Sequence, residues 1–178
     1  MASNATLLAS PAFGIFVDPR DGNAYRTVTI GNLTWIADNL DFGMSRDNGR
    51  EENFYSLKEA KDAIPSGWRL PTPDDWEQLK QFLASQGLSK AGIVNALKSR
   101  VGWTRGFKNG ADAFGFRAWP CGKLDQYGIR RDEGQLAAWW SDSPSNPTIW
   151  SLTSETLGFL PVNAAPGEMY SVRCVKVV

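Results

Sequence analysis

The sequence contains no histidine among its 178 residues and has only two cysteines. Histidine is the usual general base and the commonest metal ligand in proteins, and it activates the nucleophile in many hydrolases. Without histidine, catalysis would depend on carboxylates, lysine or a lone thiolate. We therefore expect a protein that is not an enzyme, with no catalytic residue, no metal site and no cofactor.

Neither positive nor negative charge is in excess. Lysine and arginine together number 19, as do aspartate and glutamate, so the formal net charge is zero. A nucleic acid or an anionic membrane surface attracts proteins with a basic excess. We therefore expect no nucleic-acid partner.

The N-terminal apolar stretch is short and is interrupted by Pro11 and Gly14. It lacks the basic start of a signal peptide, and a membrane-spanning helix needs about 20 apolar residues. We expect no membrane span. The sequence leaves the localisation open, and display on a cell surface or on a virion is compatible with it.

The two cysteines, Cys121 and Cys174, lack the close spacing of a redox or zinc motif. They permit one disulfide, and the alternative is a pair of buried thiols. Such a low number does not require a secreted scaffold built on disulfides.

The composition fits one globular domain. Hydrophobic residues make up 42% and aromatic residues 12% of the chain, with eight tryptophans, and a chain of this length buries a sizeable core. Residues 1–13 are rich in small side chains and are predicted to form a tail. Residues 14–178 are predicted to form the single domain.

Local patterns predict strands towards both ends of that domain. Residues 25–30 and 33–37 flank the turn pair Gly31-Asn32 and are typical of a β-hairpin. After residue 100 the apolar runs are short, which predicts a meander of short strands with long loops. Residues 170–177 alternate as a last strand.

Helices are predicted between these strands. Ser56 and Glu59 have the spacing of a capping box, and Thr72 is predicted to cap a second helix that ends at Gly87. Residues 88–98 are predicted to add a short helical piece. Strands, then helices, then strands again define an α+β fold.

Short segments spread along the chain carry a family resemblance. They are residues 28–40, 65–72 (Pro-Ser-Gly-Trp-Arg-Leu-Pro-Thr), 75–76, 97–99, 102–103, 112–116, 140–141 and 171–176 (Ser-Val-Arg-Cys-Val-Lys). Taken in this order over residues 15–177, they resemble the Fibrobacter succinogenes major paralogous domain, a family of bacterial extracellular and phage-associated modules. The resemblance implies a C-type-lectin-like fold, in which two helices pack on small antiparallel sheets and long loops join the C-terminal strands.

The chain departs from that family at its cysteines. The family commonly places a cysteine just before the Pro-Ser-Gly-Trp segment, able to pair with one near the C-terminus, and this chain has Ile64 there. Cys121 lies where the family usually has no cysteine. The resemblance therefore implies that Cys174 lacks its usual disulfide partner.

The stretch from residue 138 to residue 170 resembles the variable tract of proteins that diversity-generating retroelements mutate, which often use this module. It has few charges and mixes small polar with apolar side chains. The resemblance implies a display protein that binds a macromolecular ligand, expected to be a protein, through diversified C-terminal loop residues. The expected ligand-binding residues are Ala138, Asp142, Ser145, Asn146, Thr148, Trp150, Ser151, Thr153, Phe159, Pro161, Asn163, Ala164, Glu168 and Tyr170.

The aromatic side chains are expected to divide between that surface and the core. Phe159 is expected to be exposed, as aromatics on binding loops are, whereas Trp150 is compatible with either place. The tryptophans of the family segments are expected in the core, with the indole N–H bonded to backbone. They are Trp35, Trp68, Trp76, Trp103, Trp119 and Trp140.

Two alternatives stay open. The first is an invariant surface or adhesive module of the same family, which the coding DNA would distinguish from a diversified one. The second, more distant, is an enzyme of the formylglycine-generating type, which requires Cys121 and Cys174 to lie together in an open cleft. The calcium-binding triplets of sugar-binding C-type lectins, Glu-Pro-Asn and Gln-Pro-Asp, do not occur in the sequence, so calcium-dependent sugar binding is not expected.

Overall fold

The computed structural model describes residues 11–42, 54–104, 109–156 and 158–178. Within these ranges the chain forms nine strands and three helices, in agreement with an α+β fold. In chain order they are β1 (Ala12–Val17), β2 (Ala24–Ile30), β3 (Leu33–Ile36), α1 (Leu57–Asp62), α2 (Pro73–Ser85), α3 (Lys90–Leu97), β4 (Lys123–Leu124), β5 (Arg130–Arg131), β6 (Leu136–Ser141), β7 (Thr148–Thr153), β8 (Leu160–Asn163) and β9 (Val175–Val177).

The first sheet joins the N-terminal strands to the last one. Its order is β1-β2-β3-β9, and all neighbours are antiparallel. The predicted hairpin of β2 and β3 is confirmed, and Gly31 in its turn has a φ of 66°, which glycine adopts without a Cβ clash. Because β1 begins at Ala12, Ala12 and Phe13 belong to the sheet and not to the predicted tail. Residues 1–10 of that tail lie outside the described ranges.

The last strand is shorter than predicted. β9 begins only at Val175, whereas Tyr170 forms a bridge with Tyr55 and Ser171 forms one with Trp139 of β6. The backbone before β9 therefore changes partner from residue to residue. No single ladder runs along residues 170–177, and their burial does not alternate, since residues 170–175 are all buried.

Reciprocal caps begin the first two helices, of which the Ser56 box and the Thr72 N-cap were predicted and the exchange with Asp75 was not. The Ser56 hydroxyl accepts from the Glu59 N–H, and the Glu59 carboxylate accepts from the Ser56 N–H. Thr72 and Asp75 make the same exchange at α2. The expected number of two helices is wrong, because the predicted short piece forms α3, a helix of eight residues capped by Ser89.

A second sheet is built largely from residues of the tract from residue 138 to residue 170. Its order is β6-β7-β8, with Trp139 opposite Trp150 and Trp150 opposite Pro161. β6 and β7 are largely buried, whereas all four residues of β8 are exposed. β8 is an edge strand, where a proline is tolerated because the open side needs no donor. A short ribbon of β4 and β5 completes the described strands.

Aromatic rings fill the core between this sheet and α2. Trp76 of α2 is fully buried, as predicted, and its ring centroid lies 4.6 Å from that of Trp35. On the side of the second sheet, its centroid lies 6.2 Å from that of Trp150 and 5.6 Å from that of Phe159. Aromatic pairs of this kind add about 0.5–1.5 kcal/mol each beyond the area they bury. The cluster therefore holds β7 and the start of β8 against the helix.

Two of the expected core tryptophans are not fully buried. Trp119 is 37% exposed, so its assignment to the core is wrong. Trp68 is half-buried, with its ring 5.3 Å from Phe16 and the Lys176 ammonium 4.8 Å from its centroid.

The indole N–H groups follow the prediction only in part. Trp103 donates to the Ala118 carbonyl at 3.1 Å, and Trp140 donates to the Tyr55 carbonyl at 2.6 Å. The N–H groups of three other buried indoles meet no acceptor in the described part of the chain, because other aromatic rings surround them. They belong to Trp35, Trp76 and Trp150.

Candidate functional site

The residues expected to bind a ligand do not form one exposed set. The exposed ones are Asp142, Ser145, Asn146, Pro161 and Asn163. Those of intermediate exposure are Thr148, Thr153, Ala164 and Glu168. The buried ones are Ala138, Trp150, Ser151, Phe159 and Tyr170. We call the five exposed residues the loop surface.

The expectation of an exposed Phe159 is wrong. Its side chain is 3% exposed, and its ring centroid lies 5.1 Å from that of Trp150, which is 1% exposed. Burying a large aromatic side chain stabilises the fold by about 1.5–3 kcal/mol. The backbone before β8 places the Phe159 ring in the core. Neither Phe159 nor Trp150 is therefore available to a ligand.

The remaining buried residues of the expected site also support the fold. Ala138 of β6 and Ser151 of β7 face each other in the ladder, and both are buried. Tyr170 is buried with its ring 5.2 Å from that of Trp140. These three residues cannot contact a ligand in this conformation.

The loop that follows β6 is fixed at its base. The Ser141 hydroxyl and the Asp142 N–H both donate to the Pro71 carbonyl, at 3.1 and 2.8 Å. The Asp142 carboxylate lies 2.9 Å from the Lys61 ammonium, and both side chains are about half exposed. Because exposed ion pairs contribute only about 0–1 kcal/mol, Asp142 can exchange Lys61 for a ligand while its backbone stays in place.

Strand β8 lies beside the far end of that loop. The Ala164 N–H donates to the Pro147 carbonyl at 2.9 Å, which ties the end of β8 to the loop. Leu160 and Val162 of β8 are 52% and 48% exposed and add apolar area next to the polar residues. The exposed residues of β8 therefore lie beside the loop that precedes β7, and together the two segments present polar and apolar side chains.

Glu168 belongs to the supporting structure. Its carboxylate accepts from the Lys123 ammonium and from the Tyr170 hydroxyl. Burial raises the pKa of Glu168, but these two hydrogen bonds outweigh it and the pKa lies below its ordinary value. The Tyr170 pKa is raised by burial and by the neighbouring carboxylate. The carboxylate is thus engaged within the fold rather than offered to a ligand.

Both cysteines are fully buried thiols. The Cys121 sulfur lies 3.1 Å from the Ser171 hydroxyl, and burial raises the pKa of Cys174. Raised pKa and burial make a thiol inert as a nucleophile. The enzyme alternative needed both cysteines in an open cleft, and neither is in that position.

A cavity of about 340 Å³ lies elsewhere, and no sequence pattern predicts it. Its lining residues are Arg26, Ala37, Asp38, Asn39, Arg117, Trp119 and Arg173. They come from β2, the segment after β3, the loop before β4 and the segment before β9, so only the folded chain assembles them. Trp119 is exposed because it lines this cavity and does not pack into the core.

Two further properties of the described residues bear on ligands. Among them, no three acidic or cysteine side chains are grouped so as to hold a metal ion. None of the helices in the described ranges combines the length and apolar character needed to cross a bilayer.

Fold and surface together define an α+β domain with an exposed mixed surface on an aromatic scaffold. The chain belongs to the Fibrobacter succinogenes major domain family, whose family model matches residues 43–176. Comparison with curated proteins and with solved structures found no match.

Proposed function

We propose that this domain is a ligand-binding display protein whose loop surface contacts a macromolecular ligand, most suitably a protein. The observation that supports this best is the division of one sheet into a buried and an exposed part. β6 and β7 pack into the aromatic core, whereas β8 is exposed along its whole length. Substitutions at such exposed sites usually change the free energy of unfolding by less than about 0.5 kcal/mol, so this surface can change without loss of the fold.

The chemistry of the loop surface supports a protein ligand. Ser145, Asn146 and Asn163 supply short polar side chains, which in antibody loops provide adaptable hydrogen bonds. Leu160 and Val162 supply exposed apolar area beside them. A protein interface has this combination of apolar centre and polar rim.

We propose further that the fold is C-type-lectin-like and that a retroelement diversifies the loop surface. The family to which the chain belongs supports both parts, because its modules resemble the variable proteins of such elements. Three helices beside small antiparallel sheets are compatible with that fold.

The burial pattern restricts where diversification would be useful. Truncating a buried phenylalanine or tryptophan costs about 3–5 kcal/mol, so Trp150 and Phe159 are assigned to the invariant scaffold. Variation is assigned to the loop surface, with Thr148, Thr153 and Ala164 as secondary positions.

The test is to sequence many copies of this gene and its genomic neighbourhood from one population. We expect substitutions at codons of the loop surface that correspond to adenines in a nearby template repeat, beside a reverse transcriptase gene. The matched control is the helical region of the same gene, residues 57–97, which should be uniform. A uniform tract from residue 138 to residue 170 without a template repeat would overturn the diversification and leave an invariant binding module. Equal variation in residues 138–170 and in the helical region 57–97 would also overturn the proposed diversification.

A further inference from the structure

The cavity lined by arginines contains a buried positive charge. Arg173 is 1% exposed, and its guanidinium donates to the Phe116 carbonyl, to the Arg117 carbonyl at 2.8 Å and to the Asn39 amide oxygen at 3.3 Å. All three acceptors are neutral. Burial lowers the pKa of Arg173 to about 10, so the group is still charged at neutral pH.

The one carboxylate on the cavity wall is engaged by another arginine. Asp38 accepts from the Arg26 backbone N–H at 2.8 Å and from the Nε–H and Nη2–H groups of the Arg26 guanidinium. Arg117 reaches the same carboxylate only at 3.6 Å. In the part of the chain that the structure describes, no carboxylate forms an ion pair with Arg173. Its guanidinium lies instead over the rings of Phe116 and Trp139, 4.4 and 4.9 Å from their centroids, and the negative charges of Asp38 and Asp112 act on it only from a longer distance.

Asp112 lies beside this cavity without lining it. Burial raises its pKa to about 6, although the positive charges of Arg173, Arg100 and Arg26 oppose that shift. Even with Asp112 ionised, the three guanidinium groups on the wall outnumber the two nearby carboxylates. The cavity is therefore positive.

The backbone holds Arg117 in an uncommon conformation. Arg117 has a φ of 51° and Asp112 a φ of 47°, and the Arg117 N–H donates to the Asp112 carboxylate at 2.8 Å. A left-handed conformation of a residue other than glycine is strained and persists only where its surroundings impose it. This conformation turns the Arg117 carbonyl towards Arg173 and leaves the Arg117 side chain on the cavity wall.

A planar apolar wall stands beside these charges. The ring of Trp119 lines the cavity and lies against Gly102, where an added Cβ would approach the ring to 2.9 Å. Gly102 has a φ of 97°, so both its conformation and its lack of a side chain permit this contact. The position of the ring is thus set by the backbone beneath it.

We propose that this cavity binds a small monocarboxylate whose planar or apolar body lies against Trp119 while its carboxylate accepts from the partly exposed Arg117, with the buried charge of Arg173 behind it. Arginine presents paired donors that match the two oxygens of a carboxylate. The cavity volume of about 340 Å³ lies at the lower end of the range of about 300–1,000 Å³ typical of small-molecule sites. A phosphate ion fits less well, because it has no planar or apolar body to lie against Trp119. This site shares no residue with the loop surface and does not depend on the proposed display function.

The experiment is an NMR titration of the full ¹⁵N-labelled chain with benzoate, benzamide and inorganic phosphate. The reporter is the Trp119 indole N–H, assigned by its loss in Trp119→Phe. We expect benzoate to shift this resonance saturably and to bind at least about tenfold more tightly than benzamide, because a charged hydrogen bond is worth about 1.5–3 kcal/mol. Phosphate should bind more weakly than benzoate.

The variants separate the cavity from general surface charge. Arg117→Gln should weaken benzoate binding by at least about tenfold, as expected from the loss of one charged hydrogen bond. Arg131→Gln, at the exposed position of β5 and outside the cavity, should leave the affinity for benzoate within about twofold, as for a screened surface charge. The proposal is overturned if benzoate gives no saturable shift, if benzamide or phosphate equals it, or if Arg117→Gln binds as the unaltered chain does. The benzoate and benzamide comparison needs no variant and so stands even if a variant does not fold.

Discussion

The ring of Phe159 lies 5.1 Å from the ring of Trp150, centroid to centroid, with the planes inclined at 61°. Trp150 lies in β7 and Phe159 just before β8, and both rings reach Trp76 of α2. The contact thus links the C-terminal sheet to the helix. Residues of the tract from 138 to 170 that join this contact are buried and stabilise the fold, whereas other residues of the tract face solvent.

The first prediction concerns this contact. Phe159→Ala should lower the free energy of unfolding by about 3–5 kcal/mol, because it leaves a cavity in a close-packed aromatic cluster. Urea denaturation followed by tryptophan fluorescence measures the change. The control is Leu160→Ala at the next position, where the side chain is 52% exposed and the loss should stay below about 1 kcal/mol. Equal losses in the two variants would mean that the ring is not part of the core.

The second prediction concerns the loop surface. Replacing Asp142, Ser145 and Asn146 together by alanine should lower stability by no more than about 1 kcal/mol, since the ion pair that it removes from the described part of the chain is the exposed one with Lys61. Thermal denaturation of the triple variant and of the unaltered chain measures this change in stability. Ser141→Ala is the control, because it removes a buried hydroxyl that donates to the Pro71 carbonyl and should cost about 1 kcal/mol by itself. A loss of several kcal/mol in the triple variant would show that these residues are structural.

The third prediction concerns the pH dependence of stability. Burial raises the pKa of Asp75, but hydrogen bonds from Arg69 and Thr72 outweigh it and the pKa lies below its ordinary value. The unfolded chain, with an ordinary pKa of about 3.9, takes up the proton first as pH falls. The stabilisation by Asp75 is therefore complete well above about pH 4 and is lost as pH falls through the lower pKa of the folded state.

Equilibrium unfolding from pH 7 to pH 2 tests this dependence in Asp75→Asn and in the unaltered chain. Asp75→Asn should be less stable at pH 7, and the difference should shrink below about pH 4. Asp74→Asn, at an exposed neighbouring position, is the control and should follow the unaltered chain. A difference that stayed constant down to pH 2 would show that the charge of Asp75 does not contribute.

The fourth prediction concerns the thiols. Because Cys121 and Cys174 are fully buried and burial raises the pKa of Cys174, neither should react with Ellman's reagent in the folded protein at pH 8. In guanidinium without reductant, both should react at once. Rapid reaction of the folded chain would show an accessible thiol, and no reaction in guanidinium would show a disulfide instead.

Local sequence signals predicted the elements that depend on near neighbours. The capping boxes at Ser56 and Thr72 and the turn at Gly31 are each made within a few residues, so the types of those residues predict them. The α+β order and the family followed from segments along the whole chain. The third helix was foreseen as a short helical piece but not counted in the fold.

Exposure in the C-terminal tract could not be predicted in the same way. Phe159 and Leu160 are adjacent apolar residues, yet one is buried and the other exposed. The difference arises from the aromatic cluster around Trp76, whose members are distant in sequence. A pattern of apolar residues gives no information on which of two neighbours a distant helix will cover.

The sequence by itself therefore determined that the chain lacks histidine chemistry, carries no excess charge and folds as an α+β member of its family. Only the tertiary structure decided which residues of the C-terminal tract face solvent. It alone also brought Arg26, Arg117 and Arg173 to one cavity beside Trp119. The physical reason is range: caps and turns are fixed by contacts within a few positions, whereas burial and the grouping of charges depend on strands and loops that meet only after folding.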